Sequence, residues 1–167
     1  MEPVLDKARA GQKLLEKLMN AIPGFKGYRE KELRRDADRL QREHMALRLE
    51  ACKKPLDGIS VAATRSGELG LINDVETARK RLDKLANRIR YADRGYAGFF
   101  AAVKVDEAAL ARLYQFDVAL IDGVDAVQAA AEASATGPGA GVRAMIAAVD
   151  ALDVRMGERE AMLDGIR

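Results

Sequence analysis

Aromatic residues and cysteine are scarce in this sequence. It has no tryptophan, four tyrosines, four phenylalanines, four prolines and one cysteine among 167 residues. A lone Cys52 excludes an internal disulfide and agrees with a reducing compartment. Apolar content drawn from Ala, Leu, Val, Ile and Met, together with many Arg and Glu residues, is typical of an all-helical protein. The length suits one domain with a real core, so we predict a single domain over residues 1–167.

Long apolar runs are also absent. No stretch approaches the roughly 20 apolar residues that a transmembrane helix needs. Lys7, Arg9, Lys13 and Lys17 interrupt the start of the chain, which therefore lacks a secretory pattern. We predict a cytoplasmic protein without a transmembrane segment, and peripheral association with a membrane stays an open alternative.

The charges are divided unevenly along the chain. Residues 1–105 hold 23 Lys or Arg and 15 Asp or Glu, whereas residues 106–167 hold 5 and 11. The first part therefore has a balance of +8 and the second a balance of −6. This asymmetry predicts either charge matching within or between subunits, or an anionic partner for the basic part. We favour charge matching.

Hydrophobic periodicity predicts about four long helices plus short connecting helices, packed as an elongated antiparallel bundle. Residues 56–70 are ambiguous after Pro55, and residues 96–103 predict a short apolar helix or turn. The run at 136–141, rich in Gly and containing Pro138, predicts a loop. The predicted helical segments span residues 2 or 3 to 21, 28–54, 71 or 72 to 93–95, 106–134 and 142–165.

The first two predicted helices each have an apolar seam. Spacings of four and three place Val4, Ala8, Gly11, Leu15, Leu18 and Ile22 on one face of the first. A cationic amphipathic helix of this kind can bind an anionic membrane surface. Asp6, Glu16 and the heptad-like spacing instead favour packing into the bundle or a dimer. The second helix repeats Leu33, Leu40 and Leu47 every seven residues, interleaved with Ala37, His44 and Ala51. That pattern resembles a coiled-coil seam.

Three separated blocks resemble a group of uncharacterised bacterial helical proteins. They are the segment IPGFKGYREKELRR at 22–35, the segment IRYADRGYAGFF at 89–100 and the segment LYQFD at 113–117. The group carries similar PG[YF]KGYREKE and RIRYADxGYAGFF segments. The resemblance covers about a quarter of the chain, implies a common helical fold and implies no activity.

The junction between the basic and acidic parts concentrates aromatic residues in a chain that has few. Tyr91, Tyr96, Phe99 and Phe100 lie there. We predict that they cap one end of the core, with the tyrosine hydroxyls hydrogen-bonded. An exposed aromatic and basic patch for nucleic acid or lipid is the alternative interpretation.

Asp117 lies beside the apolar seam of the fourth long helix, next to Phe116. A carboxylate so close to the core needs a partner. We predict a structural ion pair with Arg88, Arg90 or Arg94, which would join this helix to the end of the preceding one. An acid–base role has no supporting neighbour.

Two basic segments could bind an anionic partner. The candidate residues for anion or partner binding are Lys26, Arg29, Lys31, Arg34, Arg35, Arg88, Arg90 and Arg94. If both segments lay on one side, they would form a stripe able to neutralise phosphates. We favour the alternative that they are solvated helix faces.

No combination of residues indicates catalysis, a metal or a cofactor. His44 and Cys52 are eight residues apart without zinc-ligand spacing, and no Glu-x-x-His pair is present. The glycine-rich run lacks the Lys-Ser/Thr of a phosphate-binding loop. We therefore predict a non-enzymatic interaction or scaffold module, bacterial, that binds a partner protein or forms an oligomer. A peripheral binder of membrane headgroups or nucleic acid is the alternative.

Overall fold

The computed structural model describes residues 31–92 and 107–165, with side chains for residues 39–92, 112 and 114–165. These residues form five helices and no strand, which confirms the all-α prediction for this part of the chain. The predicted first helix and the predicted segment at 96–103 lie outside it. The helices are α1 (Lys31–Ala51), α2 (Lys54–Ser66), α3 (Leu69–Arg90), α4 (Glu107–Ser134) and α5 (Pro138–Asp164).

The ambiguous segment after Pro55 is helical. α1 ends at Ala51, a turn follows at Cys52 and Lys53, and Pro55 lies in the first turn of α2. Proline is tolerated there because the first N–H groups of a helix have no intrahelical acceptor. Leu56, Ile59 and Ala63 are buried, so packing against the bundle stabilises a helix whose glycine and threonine content weakens it locally. Gly67 ends α2 with a positive φ of 74°.

The seams predicted for the last three helices form the core. α3 buries five of its predicted seam residues, and α4 and α5 bury theirs from Leu120 and Met145 onward. Each seam repeats at the helical period, so one face of each helix is removed from water. The confirmed residues are Val75, Ala78, Leu82, Leu85 and Ile89 of α3, Leu120, Val124, Val127 and Ala131 of α4, and Met145, Val149, Leu152, Met156 and Leu163 of α5.

The heptad seam of α1 does not face the core. Leu40 is 40% exposed and Leu47 is 52% exposed. The core is instead contacted by Met45, Leu49 and their neighbours, about half a turn away around the helix. α1 therefore has two apolar faces. We call the outer one the α1 stripe. Its described members are Leu40, His44, Leu47 and Ala51, and the heptad spacing of the sequence continues the row to Leu33 and Ala37.

Cross-helix contacts fix the directions of the helices. Arg159 of α5 meets Asp117 near the start of α4, whereas Gly141 at the start of α5 approaches Ser134 at the end of α4, so this pair is antiparallel. α1 and α3 are antiparallel as well, because Arg90 reaches Glu43 while Lys53 reaches Asp83. The two pairs then pack side by side, with α3 parallel to α5. The predicted antiparallel packing thus holds within each pair but not between them.

The loop predicted at 136–141 is shorter than expected, since α5 already begins at Pro138. Pro138 fits the first helical turn, and Gly141 lies inside α5 at the closest approach to α4. A Cβ at position 141 would lie 2.3 Å from Ser134 Cα. The glycine at 141 therefore serves close packing of two helices rather than a loop.

Burial makes Cys52 a poor nucleophile. Its side chain is 3% exposed, and desolvation raises the pKa of its thiol. We expect native protein at pH 8 to react with a thiol reagent such as Ellman's reagent at least tenfold more slowly than protein unfolded in urea. Equal rates in both states would show that Cys52 is accessible in the folded chain.

Candidate functional site

The basic face of α3 lies against acidic residues of α5. Arg88 bridges two carboxylates, with Nη1 2.6 Å from Asp153 Oδ1 and Nη2 2.6 Å from Glu160 Oε2. Arg81 pairs with Asp150 on the same side. These partners lie 65 to 72 residues further along the chain. Acidic residues after position 106 therefore neutralise some of the excess positive charge of residues 1–105 within the same chain.

α1 also takes part in this matching. Arg90 of α3 reaches two glutamates of α1, with Nε 3.1 Å from Glu43 Oε2 and Nη1 2.8 Å from Glu50 Oε1. Arg48 of α1 extends the pattern to α4, where its Nη2 lies 2.6 Å from Asp125 Oδ1. Ion pairs at a bundle surface contribute little singly, but together they favour one arrangement of neighbours.

Two of the candidate anion-binding residues are thus engaged within the chain. Arg88 and Arg90 each hold two carboxylates, and their side chains are only 29% and 19% exposed. Lys31, Arg34 and Arg35 lie on α1, while Lys26, Arg29 and Arg94 lie outside the described residues. Among the candidate residues, the structure describes side chains only for Arg88 and Arg90, so the formation of one basic stripe by both segments stays a prediction. Anion binding by the segment at 26–35 stays a prediction.

Asp117 is buried in an ion pair. Its side chain is 2% exposed and accepts a hydrogen bond of 2.9 Å from Nε of Arg159, which is 3% exposed. The pair joins α4 to α5 rather than α4 to the end of α3. Arg88 and Arg90 bind other carboxylates, and Arg94 lies outside the described residues. The need for a buried partner was thus recognised in the sequence, but Arg159 was overlooked, although it falls one turn after Met156 on the core face of α5.

Polar residues from α1 complete this buried cluster. Gln41 and Arg42 are 5% and 6% exposed and line the same interior space as Asp117 and Arg159. Arg42 donates to the backbone carbonyl of Ala92, just after α3. The cluster links three helices and the end of a fourth, and its side chains leave no volume that admits a water molecule. In this arrangement it can hold the helices together.

The predicted aromatic cap is not observed where it can be examined. Tyr91 is 77% exposed, so its ring does not close the core. It follows α3 directly, where the chain has already turned out of the helix. Tyr96, Phe99 and Phe100 lie outside the described residues, and their capping role stays a prediction.

Among the described residues, the α1 stripe is the exposed apolar feature with the most regular spacing. Leu40 and Leu47 are separated by two helical turns on one face, with half-buried His44 between them and exposed Ala51 one turn beyond. Single exposed apolar residues are normal on a protein surface, but a row at heptad spacing is typical of a helix-packing face. This row is the coiled-coil-like seam that the sequence predicts in α1.

Within the described residues, no group of three or more His, Cys, Asp or Glu side chains is placed to hold a metal ion. None of the five described helices is both long enough and apolar enough to cross a membrane.

These features define an all-helical bundle with an apolar face on its outer surface. No family model, curated protein or solved structure matches the chain. The resemblance to the bacterial group with PG[YF]KGYREKE and RIRYADxGYAGFF segments gains no support from these comparisons and stays a prediction.

Protonation of Glu50 at low pH should weaken its ion pair with Arg90, which joins α1 to α3. The hydrogen bond from Arg90 is the main reason that the pKa of Glu50 lies below its ordinary value of 4.5. A lowered pKa in the folded state stabilises the fold above pH 4.5, and this contribution is lost as pH falls through the folded-state pKa. We expect Glu50→Gln to have a lower Tm than wild type at pH 7 and a difference that shrinks below pH 4.5. Glu158→Gln, an exposed carboxylate of α5, is the control, and a Tm difference that stays constant with pH would contradict the expectation.

Proposed function

We propose that this protein is a non-enzymatic helical interaction module that binds a helix of a partner protein, or of a second copy, through the α1 stripe. The observation that supports this function is the exposure of Leu40 and Leu47 on a face of α1 turned away from the core. A heptad row of leucines on a solvent-facing helix is suited to an amphipathic partner helix, because each apolar side chain can insert between residues of the facing helix.

The ion pairs also support a protein partner over an anionic surface. Arg88 and Arg90 neutralise carboxylates of the same chain, so phosphate binding by these residues would have to replace existing contacts. Apolar association requires no such replacement.

Sedimentation velocity over a concentration series tests the self-association part of this proposal. We expect reversible association of the full chain that changes little between low and high salt, because apolar burial drives it. Leu40→Gln/Leu47→Gln should abolish the association. Leu69→Gln/Val154→Gln removes two apolar residues that are 73% and 62% exposed elsewhere on the bundle, so it should leave association intact. Equal loss in both variants would contradict a specific role of the α1 stripe.

Co-sedimentation with vesicles distinguishes the anionic-surface alternative. If the basic segment binds lipid headgroups, the chain will sediment with anionic but not neutral vesicles, and binding will fall steeply as salt rises. A variant in which Lys26, Arg29, Arg34 and Arg35 are replaced by Gln should then lose binding. If the chain also remains monomeric at all concentrations, these results would contradict the interaction module and support a protein that binds anionic surfaces.

A further inference from the structure

We propose that residues 4–22 of the same chain form a helix that docks antiparallel on the α1 stripe and so competes with a partner helix for that site. The inference rests on the proposed function, since it describes how that binding site is regulated. Its occupant is a segment outside the described residues, and it is identified by the register, length and charge of the two apolar rows.

The register between the two rows is continuous. An antiparallel pair that places residue i opposite residue 55 − i matches every member of one row with a member of the other. A small residue then faces a larger one at four of the six layers: Val4 opposite Ala51, Ala8 opposite Leu47, Gly11 opposite His44 and Leu18 opposite Ala37. Alternation of large and small side chains is what close helix packing requires. The other two layers are Leu15 with Leu40 and Ile22 with Leu33.

Chain connection and length fit the same arrangement. The midpoint of this register falls between Gly27 and Tyr28, within the segment that joins residue 22 to the start of α1 at Lys31. A short connection between helices favours antiparallel neighbours. Nineteen helical residues would extend about 28 Å, close to the roughly 31 Å of the 21-residue α1. The docked segment would thus cover nearly the whole stripe.

Charge favours this occupant over a second copy docked antiparallel. In the proposed register Lys7 lies beside Glu50 at the edge of the stripe. An antiparallel pair of two α1 helices would instead place Glu43 beside its own counterpart, and Asp36 beside Glu50. Arg90 pairs with Glu43 and Glu50 within each chain and reduces this repulsion, so the main difference in charge is that residues 4–22 bring a cation, Lys7, to this edge whereas a second α1 brings Asp36.

A tethered segment acts as a strong competitor. A short connection gives an effective concentration on the order of millimolar, so a free helix must bind better than this to displace it. Self-association through the stripe is therefore expected only at high protein concentration.

Disulfide trapping in the full chain tests the proposal with matched pairs. Ala8→Cys/Leu47→Cys and Leu15→Cys/Leu40→Cys follow the register, whereas Ala8→Cys/Leu40→Cys and Leu15→Cys/Leu47→Cys use the same four positions out of register. Each mismatched pair is displaced by one heptad, about 10 Å along the axis, too far for a disulfide. Every variant also carries Cys52→Ala, so only the introduced thiols can react, and circular dichroism confirms that each remains helical.

We expect mild oxidation to give an intrachain disulfide, in a species of monomer mass, at least tenfold faster in the matched pairs than in the mismatched ones. Interchain dimers in the matched pairs would show that a second copy occupies the stripe and would overturn the proposal. Equal rates in all four variants, or no disulfide in any, would overturn it as well.

The same variants separate this inference from the proposed function. An oxidised matched variant should remain monomeric at concentrations where its reduced form associates. An intrachain disulfide in a chain that never associates would support the docked segment and contradict self-association through the stripe. Association without any intrachain disulfide would support self-association through the stripe and contradict the docked segment.

Discussion

Asp117→Ala is expected to lower the free energy of unfolding by about 3–5 kcal/mol, because it leaves the Arg159 guanidinium buried without its carboxylate. Both side chains are almost fully removed from solvent, at 2% and 3% exposure. A buried guanidinium that loses one carboxylate cannot replace that contact with water. For a chain of this length the loss corresponds to a Tm lower by about 6–20 °C. Urea unfolding followed by circular dichroism measures the free energy directly.

An exposed carboxylate of the same helix provides the control. Asp125 also pairs with an arginine, Arg48, but its side chain is 57% exposed. We expect Asp125→Ala to cost less than about 1 kcal/mol, as is usual for surface ion pairs. Equal losses for Asp117→Ala and Asp125→Ala would mean that burial of the Asp117–Arg159 pair has no energetic consequence.

The double replacement Asp117→Leu/Arg159→Met separates the value of the pair from the cost of breaking it. Removing both charges leaves neither member of the pair buried without the other, so we expect a smaller loss than Asp117→Ala causes alone. A loss equal to the sum of the two single replacements would instead indicate that the two residues act independently.

Gly141→Ala is expected to lower the free energy of unfolding by about 1–3 kcal/mol, although alanine is the better helix former. The added Cβ would lie 2.3 Å from Ser134 Cα and 2.6 Å from its backbone nitrogen. Backbone atoms cannot rotate away as a flexible side chain can, so α4 and α5 would have to move apart at their closest point. This contact lies next to the α4–α5 turn, where Ser134 is fully buried and donates to the carbonyl of Ala131.

Gly58→Ala is the matched control for Gly141→Ala. Gly58 lies within α2, and a Cβ there would meet no atom within 4 Å. Without a clash, only the helix-forming preference of alanine remains, and it should stabilise the protein by about 0.5–1 kcal/mol. The two variants thus differ in sign, and stabilisation by both would exclude tight packing at Gly141.

Helix positions in the last two thirds of the described chain were predictable because periodicity is a local property. In α3 the seam from Val75 to Ile89 has no competing apolar row, so a single face can be buried. In α1 two rows compete: Leu40 and Leu47 repeat at seven residues, while Met45 and Leu49 lie opposite. The regular row with Leu40 and Leu47 is exposed, and the less regular row with Met45 and Leu49 faces the core. The choice depends on which residues the neighbouring helices offer, and the sequence of α1 does not contain that information.

The candidate site shows the same division. A carboxylate beside an apolar seam predicts burial with a cationic partner, and Asp117 has one. The sequence does not identify this partner, because several arginines occupy helical positions that a bundle could bring close to Asp117. Arg159 is the partner because α4 and α5 pack as an antiparallel pair, which places the end of α5 beside the start of α4.

By itself the sequence determined that the chain is helical and that α3, α4 and α5 bury regular apolar seams. It also indicated that the basic residues of the first part and the acidic residues of the second part could neutralise each other. These properties follow from the spacing and charge of residues within single helices. Only the tertiary structure decided the partners of Arg88, Arg90 and Asp117, the helical state of residues 54–66 and the outward orientation of the α1 stripe. Each of these depends on side chains from distant parts of the chain, because burial and pairing are free energies of contact between helices rather than properties of one helix.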